Sequence, residues 1–233
     1  MEEDLFRALC YVEHLEQLEA VQKERRKSMH ARVLTAAFQP GKRDSLLRRH
    51  QEHVLPAARQ HEGFKQVLLL TDPHTHKAMH LSFWETQGHL KGSETSGYLP
   101  EQLAGAMPFL AAPPTQEVYE VEIEQMPQSG QARHARVMSG HTQPGQLDEA
   151  VRVVREVFLP EFQKQKGFLG LLFLVDTTSN KCLSISFWQS EADMKGHESS
   201  GHHGQQLAKG AHLMVAPEQI VEAREYYEVT VLA

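Results

Sequence analysis

Displaced by 104 residues, the chain matches itself. His30-Ala31-Arg32-Val33 falls on His134-Ala135-Arg136-Val137, and Gln39-Pro40-Gly41 falls on Gln143-Pro144-Gly145. Leu55-Pro56 and Gly63-Phe64 match Leu159-Pro160 and Gly167-Phe168, and Ser82-Phe83-Trp84 matches Ser186-Phe187-Trp188. From His30 to Met107, 29 of 78 ungapped positions are identical, and both tryptophans of the protein occupy matched places. The register then slips by four, so that Tyr119-Glu120-Val121 pairs with Tyr227-Glu228-Val229. Four residues are therefore inserted in the second copy before its last strand. A repeat of this length is a whole domain, because solenoid units run to 20–50 residues.

One copy reads as β-α-β-β-α-β, the ferredoxin-like split pattern. In the second copy a short strand starts at Ala135 and meets a turn at Pro144-Gly145. Leu147, Ala150, Val151, Val154, Phe158 and Phe162 then recur at helical spacing along one face. Pro160 removes a backbone donor and crowds the preceding turn, so a kink or break is expected there. Phe168–Val175 and Cys182–Trp188 flank Asp176-Thr177-Thr178-Ser179-Asn180 as a β-hairpin. Ser190 suits a helix cap, a further helical stretch covers 205–214, and Tyr226–Leu232 closes the copy. The first copy gives strand 31–38, helix 44–60, hairpin 64–84, helical segment 87–107 and strand 117–124. Each such sheet leaves one apolar face uncovered, and the sister copy is the partner available to bury it. The expected product is an α+β intramolecular pair, with two four-stranded sheets face to face or closed into a barrel.

The boundaries implied are an amphipathic helix over 1–28, a first domain over 29–124, a linker over 125–131 and a second domain over 132–233. Leu5, Leu9, Val12, Leu15, Leu18 and Val21 form the apolar stripe of the leading helix. That helix is expected to dock across the tandem or to mediate homo-oligomerisation.

Composition excludes several classes. With 24 basic and 30 acidic residues the formal charge is −6, which gives no general attraction to nucleic acid or anionic membrane. No apolar stretch reaches the length of a membrane span. The start, Met1-Glu2-Glu3-Asp4, is acidic where a signal peptide is basic, so a cytoplasmic protein is expected. Cys10 and Cys182 make no disulfide framework. Phosphate-binding glycine loops, Cys-x-x-Cys, His-Glu-x-x-His and Gly-x-Ser-x-Gly are all missing from the sequence.

The second-copy run Gly167-Phe168-Leu169-Gly170, Val175-Asp176 and Lys181 through Asp193 resembles the antibiotic-biosynthesis-monooxygenase-like superfamily of dimeric α/β-barrel proteins, above all its uncharacterised bacterial tandem members. The resemblance spans about 30–124 and 132–232. It implies a monooxygenase-like oxidoreductase that needs no bound cofactor and acts on small aromatic or apolar substrates, with a pocket between sheet and helices. In haem-degrading members an asparagine near the first strand, a tryptophan at this strand end and a histidine on the second helix carry the reaction. Trp84 and Trp188 fit the tryptophan, but the protein's one asparagine is Asn180, in a hairpin turn. That sets the triad aside, while His89, His197, His202 and His203 keep simple haem binding open.

From the residues themselves, His197 and His202 are the candidate general bases, because imidazole titrates near neutral pH. Trp84, Trp188, Glu94, Glu198 and His89 are the candidate pocket or substrate-binding residues. Each of these residue types also has a purely structural use. A strand-end tryptophan also packs a core, and Glu94 and Glu198 also position a helical segment. His74, His76 and His80 cluster near the first hairpin turn without the defined set of three or four ligands a metal needs, so no metal site is expected. Asp72 and Asp176 read as turn residues bonded to nearby backbone. Two functions from different classes follow: a cofactor-independent oxygenase-like enzyme, or a non-catalytic ligand-binding or assembly protein.

Overall fold

A computed structural model of the protein describes residues 28–222 and 224–233. Apart from Ser28, the expected leading helix lies outside the described residues. In chain order the elements are β1 (His30–Ala37), α1 (43–58), β2 (Phe64–Asp72), β3 (Lys77–Trp84), α2 (Gln87–Thr95), α3 (Tyr98–Ala106) and β4 (Thr115–Gln125). The second copy follows with β5 (His134–His141), α4 (147–162), β6 (Phe168–Asp176), β7 (Lys181–Trp188), α5 (Glu191–Ser199), α6 (His202–Gly210), α7 (Pro217–Glu222) and β8 (Glu225–Leu232).

The eight strands close into a single antiparallel barrel in the order β1-β3-β2-β8-β5-β7-β6-β4. Of the two packings open from sequence, the barrel is the one formed. Each copy's last strand makes the closure. β4 pairs with its own β1 and with β6 of the other copy, and β8 pairs with β5 and with β2. Closure leaves no free edge for another chain to pair with.

Two-residue alternation assigns side chains to the two faces. Ala31 and Val33 point into the barrel, with Leu68, Leu70, Leu81 and Phe83 and their sister residues, and this is the main core. Arg32, Leu34 and Ala36 take the other face of β1, beneath the helices. Those helix-covered layers also mix the copies. Ile123 of β4 packs with Leu147, Val151 and Phe173 of the second copy, while Val231 of β8 packs with Val67 and Leu69 of the first.

The kink expected at Pro160 takes a specific form in both copies. One π turn, His50–Val54 or Val154–Phe158, interrupts the helix just ahead of Leu55-Pro56 or Leu159-Pro160. The amides of Leu55 and Leu159 bond five residues back, to His50 and Val154. The wide turn accommodates a proline that has no amide to give and whose ring would collide with a regular turn. The hairpin turns are as read: Asp72 and Asp176 each accept a bond from the backbone amide two residues on. His76 and Asn180 hold matching left-handed conformations in those turns, both at φ 58°. The four-residue insertion appears as α7, a short helix with no counterpart in the first copy.

Candidate functional site

Each copy holds a cavity between the outer face of its sheet and its helices. The two occupy equivalent places but differ in size and lining. The first has a volume of about 90 Å³ and the second about 310 Å³. Side-chain exchanges across the 104-residue displacement account for the difference. Leu46, Arg49, His50 and His80 line the first cavity, while Ala150, Val153, Val154 and Ser184, all smaller, line the second. Two glycines, Gly140 and Gly210, stand where the first copy has Ala36 and Ala106. At Gly210 a Cβ would come within 3.2 Å of the Phe158 ring. Pro217 brings the inserted helix α7 into the wall of the second cavity.

The second cavity is mostly apolar, with Phe158, Phe162, Leu171, Phe173 and Leu207 among its walls. Two of its polar side chains sit together on α6, one turn apart: His203 and Gln206, both buried. Neither ring nitrogen of His203 and not the Gln206 Oε1 has a hydrogen-bond partner among the described residues. Buried polar atoms are nearly always partnered, so an unpartnered set on a cavity wall is where a ligand's polar group would be satisfied. Burial, and then the charges of Arg136 and Arg224 and the nearby His197, push the His203 pKa down to about 2. The ring is therefore neutral at any physiological pH.

Behind that wall lies a charged cluster. Arg136, on the helix-covered face of β5, is 1% exposed and donates from Nη1 to Glu198 at 3.0 Å. Glu198 also accepts from the Tyr226 hydroxyl at 2.8 Å and pairs with Arg224 at 3.1 Å. Burial works to raise the Glu198 carboxyl, but bonds from Arg136 and Tyr226 and the charges of Arg136 and Arg224 outweigh it, and the net shift is downward. The first copy repeats the pair more loosely. Arg32 donates to Leu90 O and Ser93 Oγ, both at 2.8 Å, and lies 3.3 Å from Glu94.

The residues singled out in the sequence take these places. His197 is buried against the Trp188 ring at 5.2 Å and the His203 ring at 5.1 Å, one layer behind the second cavity. His202 begins α6, and its side chain lies outside the described residues. Trp84 and Trp188 are fully buried, each donating to the serine two residues earlier, Ser82 and Ser186. Arg32 and Arg136 lie over their rings at 5.7 and 5.6 Å. Neither tryptophan lines the two cavities; both pack behind them. Glu94 and Glu198 hold the arginines. His89 bonds Thr86 near the surface, away from both cavities. Among the described residues no three His, Cys, Asp or Glu side chains come together as a metal could require. His80 points not toward the hairpin turn but into the first cavity, where it meets His50.

In the sequence Arg32 and Arg136 stand out only as part of the repeated His-Ala-Arg-Val. A signal for them was present: a charge within an apolar strand, kept in both copies, with a carboxylate 62 residues later in each (32 to 94 and 136 to 198).

Residues 134–209 match the family model described as antibiotic biosynthesis monooxygenase. Curated Mycobacterium tuberculosis proteins described as uncharacterised are 23% identical, the match covering 44% of this chain and 56% of theirs, so the chain spans about half the length of those relatives. A proposed monooxygenase of Fusobacterium nucleatum is similar in structure, with a TM-score of 0.65 at 11% identity, covering 88% of this chain and 94% of that one. An anthrone oxidase-like protein has a TM-score of 0.65 at 14% identity, covering 89% and 93%. At those identities the likeness is one of fold. The family model thus covers most of the second copy, which the first copy repeats, and the fold of the chain is shared with these structures.

Proposed function

We propose that the second cavity binds a small, mainly aromatic molecule with one hydroxyl or carbonyl group, and that the protein oxygenates it without a bound cofactor. The observation that carries this reading is the pairing of an apolar cavity of about 310 Å³ with the unpartnered His203 and Gln206 on one wall. That size and polarity suit a two- or three-ring compound. The polar pair would fix its orientation.

The chemistry in view converts an activated CH₂ to C=O with dioxygen. One oxygen atom enters the product and the other leaves as water, so four electrons pass from carbon to O₂. The substrate must first lose a proton to become electron-rich enough to reduce oxygen. His203 is the base placed to take it. In the empty cavity the ring is a poor base, but the substrate anion formed against it would supply the negative charge its surroundings lack, and Arg136 and Arg224 favour that anion from behind. The same weak basicity favours a second reading, in which the cavity binds its ligand without turning it over.

Haem does not fit these residues. Among the described residues no lysine or arginine lines the second cavity to receive two propionates, and the first has no room for a macrocycle.

The test is oxygen uptake with a panel of small aromatic C–H acids and phenols of the anthrone and naphthol kind. Oxygenation predicts one O₂ consumed per substrate and a product that gains one oxygen and loses two hydrogens. It also predicts loss of that activity in His203→Leu, which installs the first copy's Leu99. Saturable binding without oxygen uptake would select the second reading. No binding by any member of the panel would contradict both.

A further inference from the structure

We propose that the first cavity is a separate binding site for a small oxyanion of three or four heavy atoms, such as a carboxylate, nitrate or bicarbonate. Its volume, about 90 Å³, holds about three waters at roughly 30 Å³ each, too little for the aromatic ligand of its sister. Donors from four of the surrounding elements converge on it, β2 contributing only Leu69. Arg32 comes from β1, Arg49 and His50 from α1, His80 from β3, and Tyr98 and Gln102 from α3.

Tyr98 donates to Val54 O at 3.4 Å, but the arginines and histidines are underused. His50 is 4% exposed, its ring lies 5.1 Å from that of His80, and none of the four ring nitrogens has a hydrogen-bond partner among the described residues. Arg49 has no carboxylate within ion-pair distance among the described residues, an unpartnered Nε, and one long bond of 3.5 Å to Gln102. Arg32 has Glu94 as counter-charge on the side facing α2, and its Nε is also unpartnered. The cavity wall thus carries more positive charge than negative, with neutral imidazoles able to donate. An oxyanion satisfies both at once.

The backbone is adapted to this arrangement. The Arg49 guanidinium lies against Gly105 of α3, where a Cβ would fall 1.8 Å from Nη2. In the second copy Val153 replaces the arginine and Lys209 the glycine, while Val154 and Ser184 replace the two histidines. Arginine, glycine and both histidines change together, as expected if they serve one site.

Burial holds His50 at about 4, and burial with the charges of His50 and Arg32 holds His80 well below the usual histidine range. An anion between them favours their protonated forms. Binding therefore takes up protons, and affinity rises as pH falls.

The experiment is calorimetric titration of the full chain with sodium nitrate and sodium formate, against sodium chloride of equal ionic strength. The expected result is one saturable site, at least tenfold weaker in Arg49→Val and in His50→Val, and unchanged in Ser184→Ala of the other cavity. Both weakening variants install the sister copy's own residues, which that fold already accommodates. Gly105→Ala, which leaves every donor in place but displaces the guanidinium, should weaken binding as well. Nitrate, which stays ionised, should bind several-fold tighter at pH 5.5 than at pH 7. No saturable heat, binding indifferent to these variants, or a pH-independent affinity for nitrate would each overturn the proposal.

Discussion

Arg136 places a guanidinium against an apolar sheet, where an ion without a partner costs several kcal/mol. Glu198 supplies the counter-charge with its side chain only 15% exposed, whereas Glu94 is 31% exposed and shares Arg32 with Leu90 O and Ser93. The two copies therefore depend on their carboxylates unequally. Glu198→Gln should cost about 2–3 kcal/mol, somewhat below the range for breaking a fully buried pair. Glu94→Gln should cost about 1 kcal/mol, and urea unfolding of the two variants checks the order. The buried histidines give the protein a second residue-scale property. His50 and His203 stay neutral in the folded chain, near 4 and 2, while in the unfolded chain they take up protons below about 6.5. The unfolded state then binds more protons, so stability falls with pH in a window that opens near 6.5, before the carboxylates titrate. Each ring contributes a loss of up to about 2 kcal/mol by pH 5. In His50→Val the slope of stability between pH 6.5 and 5 should be visibly shallower.

At the scale of elements, what was legible in the sequence was what is local and periodic. The stripe from Leu147 to Phe162 marked α4, Asp176 marked its turn, and Ser190 is the observed cap of α5, accepting from the Asp193 amide. The register slip located an insertion, but six residues opening on Pro217 gave no sign of being helical or of walling a cavity. Excising residues 217–220, to match the first copy's shorter connection, should leave the barrel folded and lower affinity for an aromatic ligand at least tenfold, measured by fluorescence titration. The candidate site was only partly legible, because which histidine faces a cavity is decided by packing across elements. His197 and His203 are brought together, yet His203 reaches the cavity and His197 stands behind it. Arg49 and His50 look in sequence like any solvated helix positions, and only the fold turns them under α3.

At the scale of the molecule, neither copy encloses its own core. β4 lends Ile123 to the second copy's helix layer and β8 lends Val231 to the first, so the repeats are two halves of one barrel. Cutting the connection over 126–133 with an inserted protease site should leave both halves together on gel filtration, since ladders β4–β6 and β2–β8 still join them. Two cavities on one frame also explain how the copies diverge without loss of fold. The barrel interior keeps Ala31, Val33, Leu68, Leu70, Phe83 and Tyr119 as Ala135, Val137, Leu172, Leu174, Phe187 and Tyr227, and exchanges Met79 for Leu183 and Leu81 for Ile185. The exchanges that reshape the cavities fall on the helix-covered face.

The direct test of that account is to exchange cavity linings. Equilibrium binding of 1-naphthol, followed by its fluorescence, should show one saturable site in the native chain. It should be lost in the double variant Ala150→Leu, Ser184→His, which restores the first copy's Leu46 and His80 to the second cavity, and unchanged in Arg49→Val. Naphthol binding that survives the filled second cavity, or that fails in Arg49→Val alone, would contradict the assignment of the aromatic site to the second copy.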